Sequence, residues 1–244
     1  MANSICSSSG GRDPLLHLIG HPLPACIDSP CTSGNLLSGS TNGVAGAEGT
    51  DGTAGSTIDL FLLSLQKPIL LFLFPGVGAG AVQGDTPSLS SSSSSNCKSN
   101  LPARACVSHL LSVQRCLASL RAAERKTTGG ELEIFGMSTA PLRELEEWKE
   151  RLGVEFHLLS DSSLRFTQAL ELPLLASSTS SALPSSPAQS PSAPRPLLQR
   201  LTLLLREGQV VGKDLLPNED EAARAGERAM RLLEPHTYEE ESAV

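Results

Sequence analysis

Aromatic side chains are scarce: six Phe, one Trp and one Tyr make up 3% of the 244 residues. All eight fall between Phe61 and Tyr238. The first sixty positions therefore lack the large apolar groups whose burial offsets the entropy of ordering a chain. Charge is sparse too, at 18% Asp, Glu, Lys and Arg, and the net charge of −7 comes with no cluster of Lys and Arg. A general nucleic-acid binder needs such a cluster against the phosphate backbone, so nucleic acid is not an expected partner. Long apolar runs are missing as well. The most apolar stretch, 60–74, is interrupted by Gln66, Lys67 and Pro68 and is shorter than the roughly twenty residues of a membrane span. No membrane partner is expected. Residues 1–10 carry no Lys or Arg ahead of an apolar segment, unlike a secretory signal. Their serines, with no acid before Asp13, leave an organelle transit peptide open beside a cytoplasmic location.

Several motifs are also lacking. The six cysteines, Cys6, Cys26, Cys31, Cys97, Cys106 and Cys116, contain no C-x-x-C pair and are too few in this length for a disulfide framework. Free thiols in a reduced compartment are the default. Cys26 and Cys31 lack two further ligands for zinc, and the five histidines form no H-E-x-x-H helix. The glycines from Gly76 to Gly80 lack the Gly-Lys-Ser/Thr end of a phosphate loop and read as a flexible loop. Glu144, Glu146, Glu147 and Glu150 are the solvated face of a helix, accompanied by Lys149 and Arg151, rather than a hydrolase pair.

What is abundant is serine, 34 residues of it, beside 21 Gly and 17 Pro. Residues 32–56, 76–100 and 176–196 hold much of this low-complexity sequence and read as linker or insertion without regular structure. The expected organisation is a largely disordered segment at 1–56, one domain at 57–235 carrying the flexible insertions 76–100 and 176–196, and a tail at 236–244.

The remaining pieces alternate in type. Ile69 to Phe74 is a continuous apolar run closed by Pro75 and Gly76, the pattern of a buried strand. From Pro102 to about Arg125 apolar residues recur near a helical period. Leu132 to Met137 predicts a second strand. Pro141 opens a helix with the stripe Leu142, Leu145, Trp148 and Leu152, which Gly153 ends. Val154 to Leu159 predicts a third strand, followed by a short helix to about Leu170. Leu201 to Leu205 and Gln209 to Gly212 form a hairpin around Arg206-Glu207-Gly208. Asn218 caps a last helix. With right-handed crossovers, this order predicts an α/β, thioredoxin-like sandwich: a central mixed sheet with helices on both faces and low-complexity insertions.

Cys106 follows Pro102 at the start of the first long helix, where the helix dipole and Arg104 favour a thiolate. The alternative is a small buried hydrophobe. Cys116, ten residues on, reads as core packing and is expected to be the more buried of the two. His109 reads as solvent-exposed, with a role beside Cys106 as the alternative, and His157 as a structural or surface residue. Cys97, in the serine-rich stretch, could reach Cys106.

Three blocks resemble the peroxiredoxins of the bacterioferritin-comigratory type, within the alkyl hydroperoxide reductase and thiol-specific antioxidant superfamily. The first is Lys67-Pro-Ile-Leu-Leu-Phe-Leu-Phe-Pro75, similar to the strand ahead of the peroxidatic loop. The second is Phe135-Gly-Met-Ser-Thr139 with Leu152-Gly-Val-Glu-Phe-His-Leu-Leu-Ser-Asp161 and Leu164-Arg-Phe-Thr-Gln-Ala-Leu-Glu-Leu-Pro173. The third is Arg200-Leu-Thr-Leu-Leu-Leu-Arg-Glu-Gly208, where the family carries its active-site arginine. Gly20-His-Pro-Leu-Pro24 is similar to the family's opening strand.

The resemblance implies a thiol-dependent peroxidase. Cys106 would attack the peroxide and become a sulfenic acid, Arg200 would hold the thiolate and polarise the O–O bond, and a thioredoxin-like or small-thiol reductant, or Cys97 as a possible resolving cysteine, would restore the thiol. No metal or organic cofactor is required. Cys106 and Arg200 must then converge, with the sulfur facing a solvent-reachable pocket. The loop departs from the family pattern: Pro102-Ala103 replace its Pro and Thr or Ser, and Leu111 stands where a helical resolving cysteine would be. A catalytically lapsed thioredoxin-fold protein, acting as a binding or regulatory module, is therefore the competing expectation.

Overall fold

A computed structural model describes residue 13 and residues 15–32, 56–76, 101–175 and 196–234, the side chains of 101–104 excepted. The low-complexity stretches 32–56, 76–100 and 176–196 lie almost wholly outside these residues, as do Cys6 and Cys97.

After a single 3-10 turn at Leu16–Leu18, the elements are β1 (Asp28–Pro30), β2 (Thr57–Asp59), α1 (Leu60–Ser64), β3 (Ile69–Leu73), α2 (Leu101–Thr128), β4 (Glu133–Ser138), α3 (Leu142–Leu152), β5 (His157–Ser160), α4 (Arg165–Ala169), β6 (Leu174–Leu175), β7 (Leu197–Leu198), β8 (Leu201–Arg206), β9 (Gln209–Leu215), α5 (Glu219–Ala222) and α6 (Ala225–Leu233). The main sheet has the order β5-β4-β3-β8-β9. β3 pairs parallel with β4, Ile69 opposite Glu133, and antiparallel with β8, Ile69 opposite Leu205. The sheet is mixed, and its central strand is the apolar run that the sequence singles out.

Alternation along β3 explains why that run must be apolar on both sides. Leu70, Phe72 and Phe74 face a core shared with α2, α3 and α6, while Ile69, Leu71 and Leu73 face a second core with Leu18, Leu60, Phe166 and Leu170. Helices thus cover both faces, the architecture of a thioredoxin-like sandwich. Between β8 and β9, Glu207 (φ 50°) and Gly208 (φ 75°) both adopt left-handed backbone, the requirement of a type I′ two-residue hairpin.

Two details differ from the sequence reading. The second core recruits Leu15, Leu18, Leu23 and Cys31, all ahead of the expected domain boundary at residue 57. Pro22 bridges to Gln209, and the Gly20 amide donates to the Val210 carbonyl at 2.8 Å, so residues 20–23 dock against the start of β9. The composition argument missed this because a few apolar side chains suffice once a sheet face is waiting for them. The helix predicted after Asn218 is split. The Asn218 side chain accepts from the Glu221 amide to cap α5, and α6 restarts at Ala225, where the Gly226 amide donates to Ser112 Oγ of α2 at 3.1 Å.

Candidate active site

The site lies at the carboxyl end of β3, where open α/β sheets place their ligands. The chain leaves β3 through Phe74 and Pro75, and the Phe74 amide donates to the Met137 carbonyl at 3.0 Å. The Pro75 carbonyl points towards α2 and accepts from the Cys106 thiol at 3.1 Å. Arg200 approaches from the far side of the sequence insertion. β6 pairs with β7, Leu174 opposite Leu198, and the Gln199 amide donates to the Pro173 carbonyl at 3.0 Å. The chain thus leaves for and returns from residues 176–196 at one place, and Arg200 enters next to β8 with its carbonyl accepting from the Leu216 amide at 2.9 Å. The result is that Arg200 meets Cys106, 94 positions away in the chain. Its guanidinium charge acts on the sulfur and favours the thiolate.

Burial opposes that effect and wins. Cys106 is 1% exposed, and its thiol is pushed up to about 12 by loss of solvent, with Arg200 offsetting only part of the rise. Cys106 is the sixth residue of α2, beyond the first turn, over which the helix dipole acts. Its placement in an opening turn, exposed to a pocket, is therefore corrected: the helix begins at Leu101 and turns the sulfur into the core. The expected ranking with Cys116 is reversed too, because Cys116 faces α6 and is only half-buried.

His109 is the residue that sequence reasoning misplaced. It is fully buried, with its ring edge-on to Phe72 at 5.8 Å between centroids. Burial, with the Arg200 charge added, lowers it to about 3, so it is neutral at physiological pH. Both ring nitrogens, Arg200 Nε and Thr202 Oγ1 are buried without a hydrogen-bond partner among the described residues. A signal for this was present. Cys106, Leu110, Val113, Leu117 and Leu120 recur at alternating steps of four and three, and His109 adjoins that stripe.

The other singled-out residues are structural. The Asp161 carboxylate accepts from the Phe166 and Thr167 amides at 3.2 and 2.8 Å and so fastens the start of α4. His157 is half-buried, its Nδ1 3.2 Å from the Thr32 carbonyl. Cys31 is buried and its thiol raised to about 11 by desolvation, whereas Cys26 is exposed. Among the described residues, no three His, Cys, Asp or Glu side chains gather as a metal site, and no helix is long and apolar enough to cross a membrane. A cavity of about 240 Å³ between Thr139, Pro141, Ser162, Leu164 and Pro196 does not include Cys106 or Arg200.

No family profile matches the sequence, and no curated protein sequence matches it. Solved structures do. The reduced Prx3 of Vibrio vulnificus in complex with hydrogen peroxide superposes with a TM-score of 0.54 at 18% identity, covering 90% of this chain and 98% of its own. The peroxidoxin BcpB of Mycobacterium tuberculosis gives 0.52 at 15%, covering 88% and 95%. A cysteine-to-serine mutant of PrxQ from Xylella fastidiosa gives 0.50 at 11%, covering 89% and 96%. The fold is the peroxiredoxin fold. Within it, the elements that bring Cys106 and Arg200 together are β3, α2 and β8, and the low identity leaves the chemistry to be argued from this chain's own residues.

Proposed function

We propose that this protein is a thiol-dependent peroxidase acting on hydrogen peroxide or organic hydroperoxides. The observation that carries the reading is the meeting of the Cys106 thiol with the Arg200 guanidinium at the carboxyl end of the central strand. An always-charged planar donor beside a sulfur stabilises a thiolate and the negative charge that develops on a breaking O–O bond. In the reaction, the Cys106 thiolate attacks one peroxide oxygen and the O–O bond breaks. The sulfur is oxidised to sulfenic acid, and the second oxygen leaves as water or an alcohol after taking up a proton. Two equivalents of an external thiol, from a thioredoxin-like protein or a small molecule, then return the sulfenic acid to the thiol with release of water and a disulfide. Cys97 is a candidate to supply one of these thiols. The reading needs no metal or organic cofactor, is compatible with a cytoplasmic location or with transit to an organelle, and treats 57–235 as the catalytic unit with residues 15–32 added to its core.

A second reading is favoured by one specific observation. With the thiol raised to about 12 and 1% exposed, Cys106 is held as the neutral thiol at pH 7. A scaffold kept for binding, with lapsed chemistry, has a site of this kind. One experiment separates the two. Peroxide consumption is followed in the wild type, Cys106→Ser, Cys116→Ser and Arg200→Met, with mass detection of sulfenic acid at each cysteine. The peroxidase reading expects loss in Cys106→Ser, strong reduction in Arg200→Met and retention in Cys116→Ser. Turnover that survives Cys106→Ser, or a wild type inert to peroxide, leaves the lapsed scaffold.

A further inference from the structure

The face of the sheet beneath α2 holds a group of buried polar atoms to which the proposed peroxidase steps give no hydrogen-bond partner. Cys106 and His109 are one helical turn apart on α2, and both feel the Arg200 charge. Thr202 lies opposite Phe72 in the β3–β8 register, and the Phe72 ring stands against His109. Thr202 and Leu204 point to the same side as α2, because Leu201, Leu203 and Leu205 point to the other core. Thr202 and His109 thus flank Phe72 on this face, Arg200 lies two residues before Thr202, and His109 Nδ1 and Nε2, Arg200 Nε and Thr202 Oγ1 are all buried and lack a partner among the described residues. Unpaired buried polar atoms are rare because each forfeits its hydrogen bond to water.

Their chemistry is complementary around one small molecule. Arg200 Nε–H only donates, a neutral imidazole offers one acceptor and one donor, and the hydroxyl does both. A single water fits such a set, since buried waters typically make about three hydrogen bonds to otherwise unpaired groups. We infer that His109 is a positioning residue for Arg200: with Thr202 it holds one internal water that accepts from Arg200 Nε–H and keeps the guanidinium turned towards the Cys106 sulfur. The neutral state of the buried imidazole suits this role, because an imidazolium has no acceptor and would repel the guanidinium. Phe72 packs edge-on to the ring and limits its rotation. Arg200 is the charged group that acts on both His109 and Cys106. The inference deepens the peroxidase reading but is tested on the free protein, without turnover.

The test is nuclear magnetic resonance of ¹⁵N-arginine-labelled full-length protein. The Arg200 Nε–H signal, assigned with Arg200→Lys, is expected to exchange slowly and to show a cross-relaxation peak to a trapped water. His109→Leu removes both ring nitrogens, Thr202→Val removes the hydroxyl with little change in shape, and His109→Gln restores an acceptor and a donor. His109→Leu and Thr202→Val should each speed Nε–H exchange roughly tenfold, about the factor carried by one hydrogen bond to a charged group, whereas His109→Gln should stay near the wild type. Labelling of the Cys106 peptide by iodoacetamide at pH 8 should slow in the two deletion variants and recover in His109→Gln. No water peak, unchanged exchange in Thr202→Val, or His109→Gln behaving as His109→Leu overturns the inference and leaves His109 as core filling. If His109→Leu does not fold, Thr202→Val alone decides. A protein without peroxidase activity but with these changes in exchange keeps the positioning role and discards the peroxidase reading.

Discussion

Acid should weaken this fold through His109 in particular. The side chain is fully buried and neutral, lowered to about 3 from an ordinary 6.5 by burial and by the Arg200 charge. In the unfolded chain the same imidazole takes up a proton near its ordinary value. Between about pH 6.5 and pH 3 the unfolded state therefore binds more protons than the folded one, and stability falls as pH falls. The contribution is fully present above pH 6.5 and is lost progressively towards pH 3. A tenfold difference in proton affinity between the two states corresponds to about 1.4 kcal/mol. Lowering the pH from 7 to 4 should therefore remove about 3 kcal/mol, and reaching the folded-state value about 4 kcal/mol. That is a large part of the stability of an ordinary domain. Urea unfolding at fixed ionic strength, at half-unit steps from pH 7 to pH 4, reads the loss as a falling midpoint at constant slope. Carboxylates titrate in the same range, so the comparison is with His109→Gln, which keeps hydrogen-bonding groups but does not titrate. The wild-type curve should fall more steeply than the variant curve by about 3 kcal/mol at pH 4. Parallel curves would falsify the burial of a neutral His109, and with it the assignment of the water it holds.

Further expectations rest on other contacts. A Cβ added at Gly226 would lie 2.6 Å from the Ser112 carbonyl oxygen and 2.9 Å from Cys116 Sγ, so Gly226→Ala should lower stability by about 2 kcal/mol in denaturant unfolding, against its helix propensity. A stabilised variant would show that α6 can move away from α2 freely. Arg206 donates to both carboxylate oxygens of the fully buried Glu124 at 2.9 and 2.8 Å. Arg206→Ala should cost about 3–5 kcal/mol by leaving that charge unpaired, and Glu124→Leu with Arg206→Met should cost less than the single change. A double variant less stable than the single one contradicts this. In the native protein at pH 8, iodoacetamide should label exposed Cys26 before half-buried Cys116, and Cys116 before Cys106 and Cys31, read by peptide mass. Early labelling of Cys106 would mean that its thiol does not rest against Pro75.

Most of the sheet was legible in the order of residues, because strands and helices are set by local periodicity. The continuous apolar run at Ile69 to Phe74 can be satisfied only by burial on both faces, and it is the central strand. The stripe of α3 and its end at Gly153, with φ 63°, follow from period and from the one residue type that takes left-handed backbone freely. Glu207-Gly208 marks the hairpin for the same reason. Arg200 and Cys106 could be named through resemblance, but nothing local to either implies that they meet.

Tertiary structure decided what surrounds them. Period tells which residues of α2 share a face, not where the helix begins or which neighbour each face meets. Starting at Leu101 removes Cys106 from the opening turn. Packing across β3 then buries Cys106 and His109, while α6 takes Cys116 as its neighbour. Residues 15–31 look too thin in apolar side chains to fold, and they do so only because β8, β9 and α4 present a finished surface on the second face. Composition and periodicity are one-dimensional and settle the elements. The state of a thiol or an imidazole depends on solvent exclusion and on charges brought from distant positions, and those exist only once the chain has closed.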